Sequence, residues 1–263
     1  MEMDEKIKCK SCSKESYDKV PIARVIDKLN DAFSKNDLLA AGRLLEYWER
    51  EARILGDDRG LIEILNEEIG YYRRTSNQDK GMSALREAFD LIESTGIENT
   101  VTAGTVYLNG ATTMKSFGFA SEAMPYYDKA LAIYLDLLPE NDYKMAAFYN
   151  NISSAYVDLG EVNKAEEACF KAISILESKK GFLGEIAVTL INVAHMYHDQ
   201  DPFDERIEEL LDRAWNCLIS TENTHDGDFA FLCSKCYPSF EYFGYFEKSA
   251  ELKKLTESIY EGN

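Results

Sequence analysis

Positive charge is the first thing this chain runs short of: 29 lysines and arginines stand against 47 aspartates and glutamates, a formal net charge of −18. Attraction to a phosphate backbone would work against such a protein, which argues against nucleic acid as its ligand. Long apolar runs are missing too, since no stretch approaches the roughly 20 uninterrupted apolar residues of a membrane span. The opening MEMDEKIKCK carries charge where a signal peptide needs an apolar run. The expectation is a cytoplasmic protein with no membrane partner. Six cysteines (Cys9, Cys12, Cys169, Cys217, Cys233, Cys236) are few for a disulfide scaffold of this length. Several fall on helical positions expected to be buried, so reduced thiols are expected.

Signatures of catalysis are missing as well. There is no phosphate loop, no Gly-x-Ser-x-Gly elbow, no His-Glu-x-x-His and no Gly-x-Gly-x-x-Gly after a strand. With three histidines in the chain, a nucleophilic Ser or Cys would have to pair with His195, His198 or His225, and no local context favours any of them. The chain is read as non-enzymatic and without a cofactor.

What is present is a beat. Ala88, Ala130, Ala172 and Ala214 stand 42 residues apart each time. A single globular core has no reason to produce that interval, and a stack of like units does. Helical periodicity fills the intervals. Ile22, Val25, Ile26, Leu29 and Phe33 precede a break at Asn36 and Asp37, then Leu38 to Trp48 follow, closed by Gly56. Leu61 to Tyr72 and Met82 to Ile92 make a second pair closed by Gly96. Later pairs turn at Gly118, at Gly160 and at Asp201-Pro202, with Pro139 and the Lys179-Lys180-Gly181 run closing the third and fourth. The last pair runs from about Asp228 to Tyr260. It carries Pro238 in mid-helix, where a kink is expected, and then a half-polar helix with one stripe through Phe246, Leu252, Leu255 and Ile259. The predicted organisation is a polar, flexible segment over 1–20 and one all-α solenoid over 21–263, with units at about 21–56, 57–97, 98–139, 140–181, 182–221 and 222–263.

Superposed in sequence, the central unit reads Tyr149, Ile152, Ser153, Tyr156, Gly160, Ala165, Cys169, Ala172. The unit before it reads Tyr107, Gly110, Ala111, Met114, Gly118, Ala123, Tyr127, Ala130. This spacing resembles the tetratricopeptide repeat, TPR, over about Leu61 to Ser220. The period resembles the long-helix variant of kinesin light chains and of peptide-sensing modules in bacterial regulators, which often carry an Asn-Asn pair like Asn150 and Asn151. A HEAT or armadillo array fits the length of the period, but the turn glycines and paired alanines argue against it. The resemblance implies a right-handed α-α superhelix of about six antiparallel pairs, with the first helix of each pair lining a concave groove.

It also implies a binding scaffold for a protein or peptide. Asn66, Asn109, Asn150, Asn151 and Asn192 fall at matching depth on first helices, and amides can pair with the main chain of an extended peptide. The competing reading is that they tie neighbouring helices together. Arg73, Arg74 and Lys115 recur along the same groove and would bias it toward an acidic peptide, although charges on helices often form only a solvated face. The family's carboxylate clamp has Ala147 and Asn151 at its cationic places here, so that mode is not expected. An alternative is a sensory module that changes curvature on binding a signalling peptide and acts on a separate effector.

Three features stand outside this reading. His195 and His198 share a helix face beside Asp199, with Asp158 and Glu241 on adjacent first helices, but surface histidines without metal are far commoner and no metal is assigned. Cys9-x2-Cys12 and Cys233-x2-Cys236 look like the halves of a zinc knuckle, yet are expected at opposite ends of an elongated stack, the second pair in the core. The aromatic run from Phe229 to Phe246 fills the last core layer with some to spare, which makes that end a candidate for self-association.

Overall fold

The computed structural model describes residues 18–262, which form twelve α-helices and no strand among the described residues. In order they are α1 (Ile22–Ser34), α2 (Leu38–Leu55), α3 (Asp58–Arg74), α4 (Gln78–Thr95), α5 (Val101–Ser116) and α6 (Ala120–Leu137). The second half continues with α7 (Tyr143–Asp158), α8 (Val162–Glu177), α9 (Leu183–Gln200), α10 (Arg206–Leu218), α11 (Gly227–Tyr242) and α12 (Phe246–Gly262). Cys9 and Cys12 lie outside the described residues.

Local chemistry sets the boundaries. Asp37, Asp57, Asn77, Thr100, Asp142 and Asp226 each accept a hydrogen bond from a backbone N–H in the first turn of the helix they precede. Each such bond satisfies one of the donors a helix start leaves open. Gly56 and Gly96 end α2 and α4 in the left-handed conformation, at φ 65° and 67°. Helix α8 stops at Glu177, so Lys179 and Lys180 lie beyond it rather than in its last turn. Helix α11 runs through Pro238 without interruption.

Each odd helix packs on the even helix that follows it, and successive odd helices also touch: α1 on α3, α3 on α5, α5 on α7 and α9 on α11. The odd helices therefore make the inner layer and the even helices the outer one. Ala88, Ala130, Ala172 and Ala214 are all fully buried where outer helices meet inner ones. A methyl side chain lets the two backbones approach, so the 42-residue beat marks the same helix crossing once per repeat. One apolar core runs through the first four units and a second through the last three, and Tyr149, Tyr156 and Ile175 pack against both. Cys233 and Cys236 are buried in the second.

Two expectations change. The ends of the stack are not far apart, because α1 packs against α11. A small turn per unit, accumulated over six units, brings the array back on itself. At the junction a Cβ added to Gly227 would stand 2.1 Å from the Ser34 carbonyl oxygen and 2.4 Å from its Cα, so only glycine permits this contact. In α12, Leu252 and Ile259 are buried as expected, but Phe246 is 67% exposed and lies off the stripe.

Candidate ligand-binding concave face

The inner layer is laced by a belt of polar side chains whose partners sit about one repeat apart. Between α3 and α5, the Asn109 Nδ2 donates to Asn66 Oδ1 at 2.8 Å and an Arg73 Nη1 donates to Thr113 Oγ1 at 3.3 Å. Between α5 and α7, Lys115 pairs with Asp158 at 3.2 Å. Thr189 Oγ1 donates to Asn150 Oδ1 at 2.9 Å between α7 and α9. His195 Nε2 lies 2.9 Å from Ser239 Oγ, and His198 Nδ1 lies 3.2 Å from the Tyr242 hydroxyl, between α9 and α11. Each contact satisfies a polar group at a helix interface and fixes how one unit is set on the next.

The asparagine column thus divides. Asn66, Asn109 and Asn150 spend hydrogen bonds on neighbouring helices, and Asn151 donates to the Ala147 carbonyl of its own helix at 2.8 Å. Asn192 makes no hydrogen bond with the described residues and lines a cavity of about 290 Å³ between α7 and α9. Around it stand Lys115, Ser154, Asp158, His195 and Asp199, a mixed lining of donors and acceptors. Burial holds the His195 imidazole below its ordinary value, with Asp199 opposing, so the ring is neutral at pH 7 and offers one donor and one acceptor. His195 and His198 both pack on the rings of Tyr242 and Phe243. Among the described residues no group of three or more His, Cys, Asp or Glu side chains could hold a metal ion.

The cations also divide. Lys115 is neutralised by Asp158. Arg74 sits at the junction of the two ends: its guanidinium donates to Asn36 Oδ1 at 2.9 Å and lies 4.6 Å from the Phe231 ring centre and 5.5 Å from that of Phe33. Arg73 has Thr113 as its hydrogen-bond partner and no carboxylate among the described residues. Lys235 of α11, which the sequence did not single out, lies 4.5 Å from the centre of the same Phe231 ring and likewise has no carboxylate among the described residues. Lys235 is solvent-exposed and Arg73 half-exposed, yet both are held below their ordinary ranges by the protein that encloses them. For Lys235 the charges of Arg73 and Arg74 add to that effect. Enclosure on the inner side of the curl replaces bulk water without removing contact with solvent. The signal that would have found Lys235 is the closure of α11 onto α1, which no local pattern encodes.

No family model and no curated protein matches the chain. Solved structures do match. BtubC (BKLC) from P. vanneervenii superposes with a TM-score of 0.62 at 22% identity, over 74% of this chain and 79% of that one. The described residues have the fold of a TPR-like solenoid. A kinesin light chain of nearly identical TPR-like repeats from Podospora anserina matches at TM-score 0.53 and 15% identity, over 74% of this chain and 92% of that one. A Rap protein complexed with competence and sporulation factor matches at 0.60 and 14%, over 92% of this chain and 75% of that one. The TPR-like solenoid described here is similar to these structures in fold, and none of its described helices is long and apolar enough to cross a membrane.

Proposed function

We propose that this protein is a non-enzymatic scaffold whose concave face holds an acidic segment of a protein or peptide partner. The observation that carries the reading is the pair Arg73 and Lys235, two cations on inner-layer helices without a carboxylate partner among the described residues, in a chain of net charge −18. Unneutralised cations in an enclosed space are costly, and an anionic guest removes that cost. The unbonded Asn192 amide offers the guest's backbone a donor and an acceptor. Support from likeness comes from a Rap protein of similar fold that was solved with a factor bound. His198 meets the Tyr242 hydroxyl, His225 stacks on Phe229 at 5.4 Å and His195 meets a serine, Ser239, at 2.9 Å, so the reading rests on the cations and not on the histidines.

A second reading has its own support in the α1–α11 contact. A guest that binds better when the ends are apart, or together, would shift curvature and signal to a separate effector.

The test is a peptide library of acidic, neutral and basic decamers screened on wild type and on Arg73→Gln and Lys235→Gln. Acidic hits that weaken about tenfold in either variant and fade with salt would support the scaffold reading. Basic hits, or acidic hits indifferent to salt and to both substitutions, would overturn it.

A further inference from the structure

On the outer side of the first two units, α2 and α4 flank a cleft of about 280 Å³ floored by α3 and lined by Glu46, Glu49, Glu68, Tyr72, Lys80 and Glu87. Glu68 is 3% exposed, and its Oε1 is buried without a hydrogen-bond partner. In the register of the repeat, its place is taken by Gly110, Ile152 and Val193 in the next three units. All three are buried, the last two as apolar core, so a carboxyl stands where the fold calls for an apolar or small group. Such a group is destabilising as it stands, and its unmet acceptor calls for a donor.

The other charges of the cleft leave that demand open. The Arg53 guanidinium is engaged by both oxygens of Glu87, at 2.6 and 2.9 Å, and by Glu49 at 2.7 Å. Lys80 stands at the rim, 3.8 Å from Glu46 and 5.4 Å from the centre of the Tyr72 ring. Arg53, beside the cleft, shows what two of its lining carboxylates, Glu49 and Glu87, accept: a planar cation held between them. No set of three ligands with metal-binding geometry exists among the described residues, so a divalent ion is not the occupant.

We infer that this cleft is a docking site for an arginine side chain of a basic partner segment, with Glu68 and Glu46 as the carboxylates that receive it and Tyr72 as an aromatic wall. A guanidinium is the weakly hydrated, flat cation that suits a buried carboxyl with an exposed carboxylate at the rim and a ring beside it. The site is separate from the concave face and does not depend on what binds there. Because burial and then Glu49 push the Glu68 carboxyl up to about 8, against Arg53 and Lys80, it is mostly neutral at pH 7. An arriving cation favours the ionised form, so docking releases a proton and strengthens as pH rises toward 8.

The experiment titrates N-acetyl-arginine methylamide, with its citrulline counterpart as the uncharged control, into the protein carrying ¹³C-labelled glutamate, by NMR at pH 6 and pH 8.5. Expected are a perturbed Glu68 carboxyl resonance, affinity at least about tenfold tighter at the higher pH, and loss of binding in Glu68→Gln. Lys80→Gln, an exposed change that leaves the fold intact, should tighten binding by removing the resident competitor, and Arg73→Gln should leave it unchanged. Equal binding of the citrulline probe, unaltered binding in Glu68→Gln, weakening in Lys80→Gln, or no shift of the Glu68 resonance at tens of millimolar probe would each overturn the assignment.

Discussion

The inner face near Arg73 and the outer cleft near Glu68 lie on opposite sides of the same helix and have opposite charge problems. Inside, Arg73 and Lys235 lack carboxylate partners among the described residues. Outside, Glu68 lacks a donor in a cleft with more carboxylates than cations. A net charge of −18 hides this segregation, so the bulk charge describes the outer cleft and misleads about the inner face. The comparison teaches that α3 has its polar groups displaced from where simple packing would put them on both sides.

The sharpest way to break the comparison is through stability. Glu68 has a folded pKa of about 8 against an ordinary value of 4.5, with burial as the chief cause. Below the lower value both states bind the proton and there is no penalty. Between the two, folding must take up a proton, at roughly 1.4 kcal/mol per pH unit. Glu68→Gln is therefore expected to gain several kcal/mol over wild type at pH 8 and almost nothing at pH 4.5, read from urea melts at both values. An advantage that is equal at both pH values would show that Glu68 is not the buried acid described.

Next in size is the closure. Gly227→Ala sets a methyl against the Ser34 backbone, which cannot yield as a side chain could, and is expected to cost about 1–3 kcal/mol and to enlarge the radius of gyration in X-ray scattering. Gly70→Ala is the control: it is helical with nothing near its added Cβ, and should stabilise by about 0.5–1 kcal/mol with the shape unchanged. Loss of compactness without loss of stability would mean that the α1–α11 contact is marginal.

Much of this was legible beforehand. The alanine interval, the turn glycines and the capping residues are local, and local chemistry gave the twelve helices to within a few residues. Ala88 and its three successors mark the helix crossings, where each is fully buried. The closure was not legible: curvature is a sum of small rotations, and no single residue carries it. Lys235 was hidden for that reason. Glu68 was hidden for another, since a glutamate on a helix reads as a solvated face, although its register with Gly110, Ile152 and Val193 was already in the sequence. The asparagines were legible as a column, but not which way each amide turns, because that depends on the partner one unit away.

The smallest expected effects separate the two sides of that column. Asn109→Ala removes the tie to Asn66 and leaves that buried amide without its donor, so about 1 kcal/mol of stability should be lost. Its effect on affinity for a concave-face ligand should be minor. Asn192→Ala has no hydrogen bond with the described residues to lose, so stability should stay within about 0.5 kcal/mol of wild type while affinity falls. Thermal melts and titration with any acidic library hit read both quantities on the same samples. If Asn109→Ala weakens binding more than Asn192→Ala does, the guest competes for the inter-helix tie itself. The belt would then be a set of ligand contacts satisfied internally only while the groove is empty.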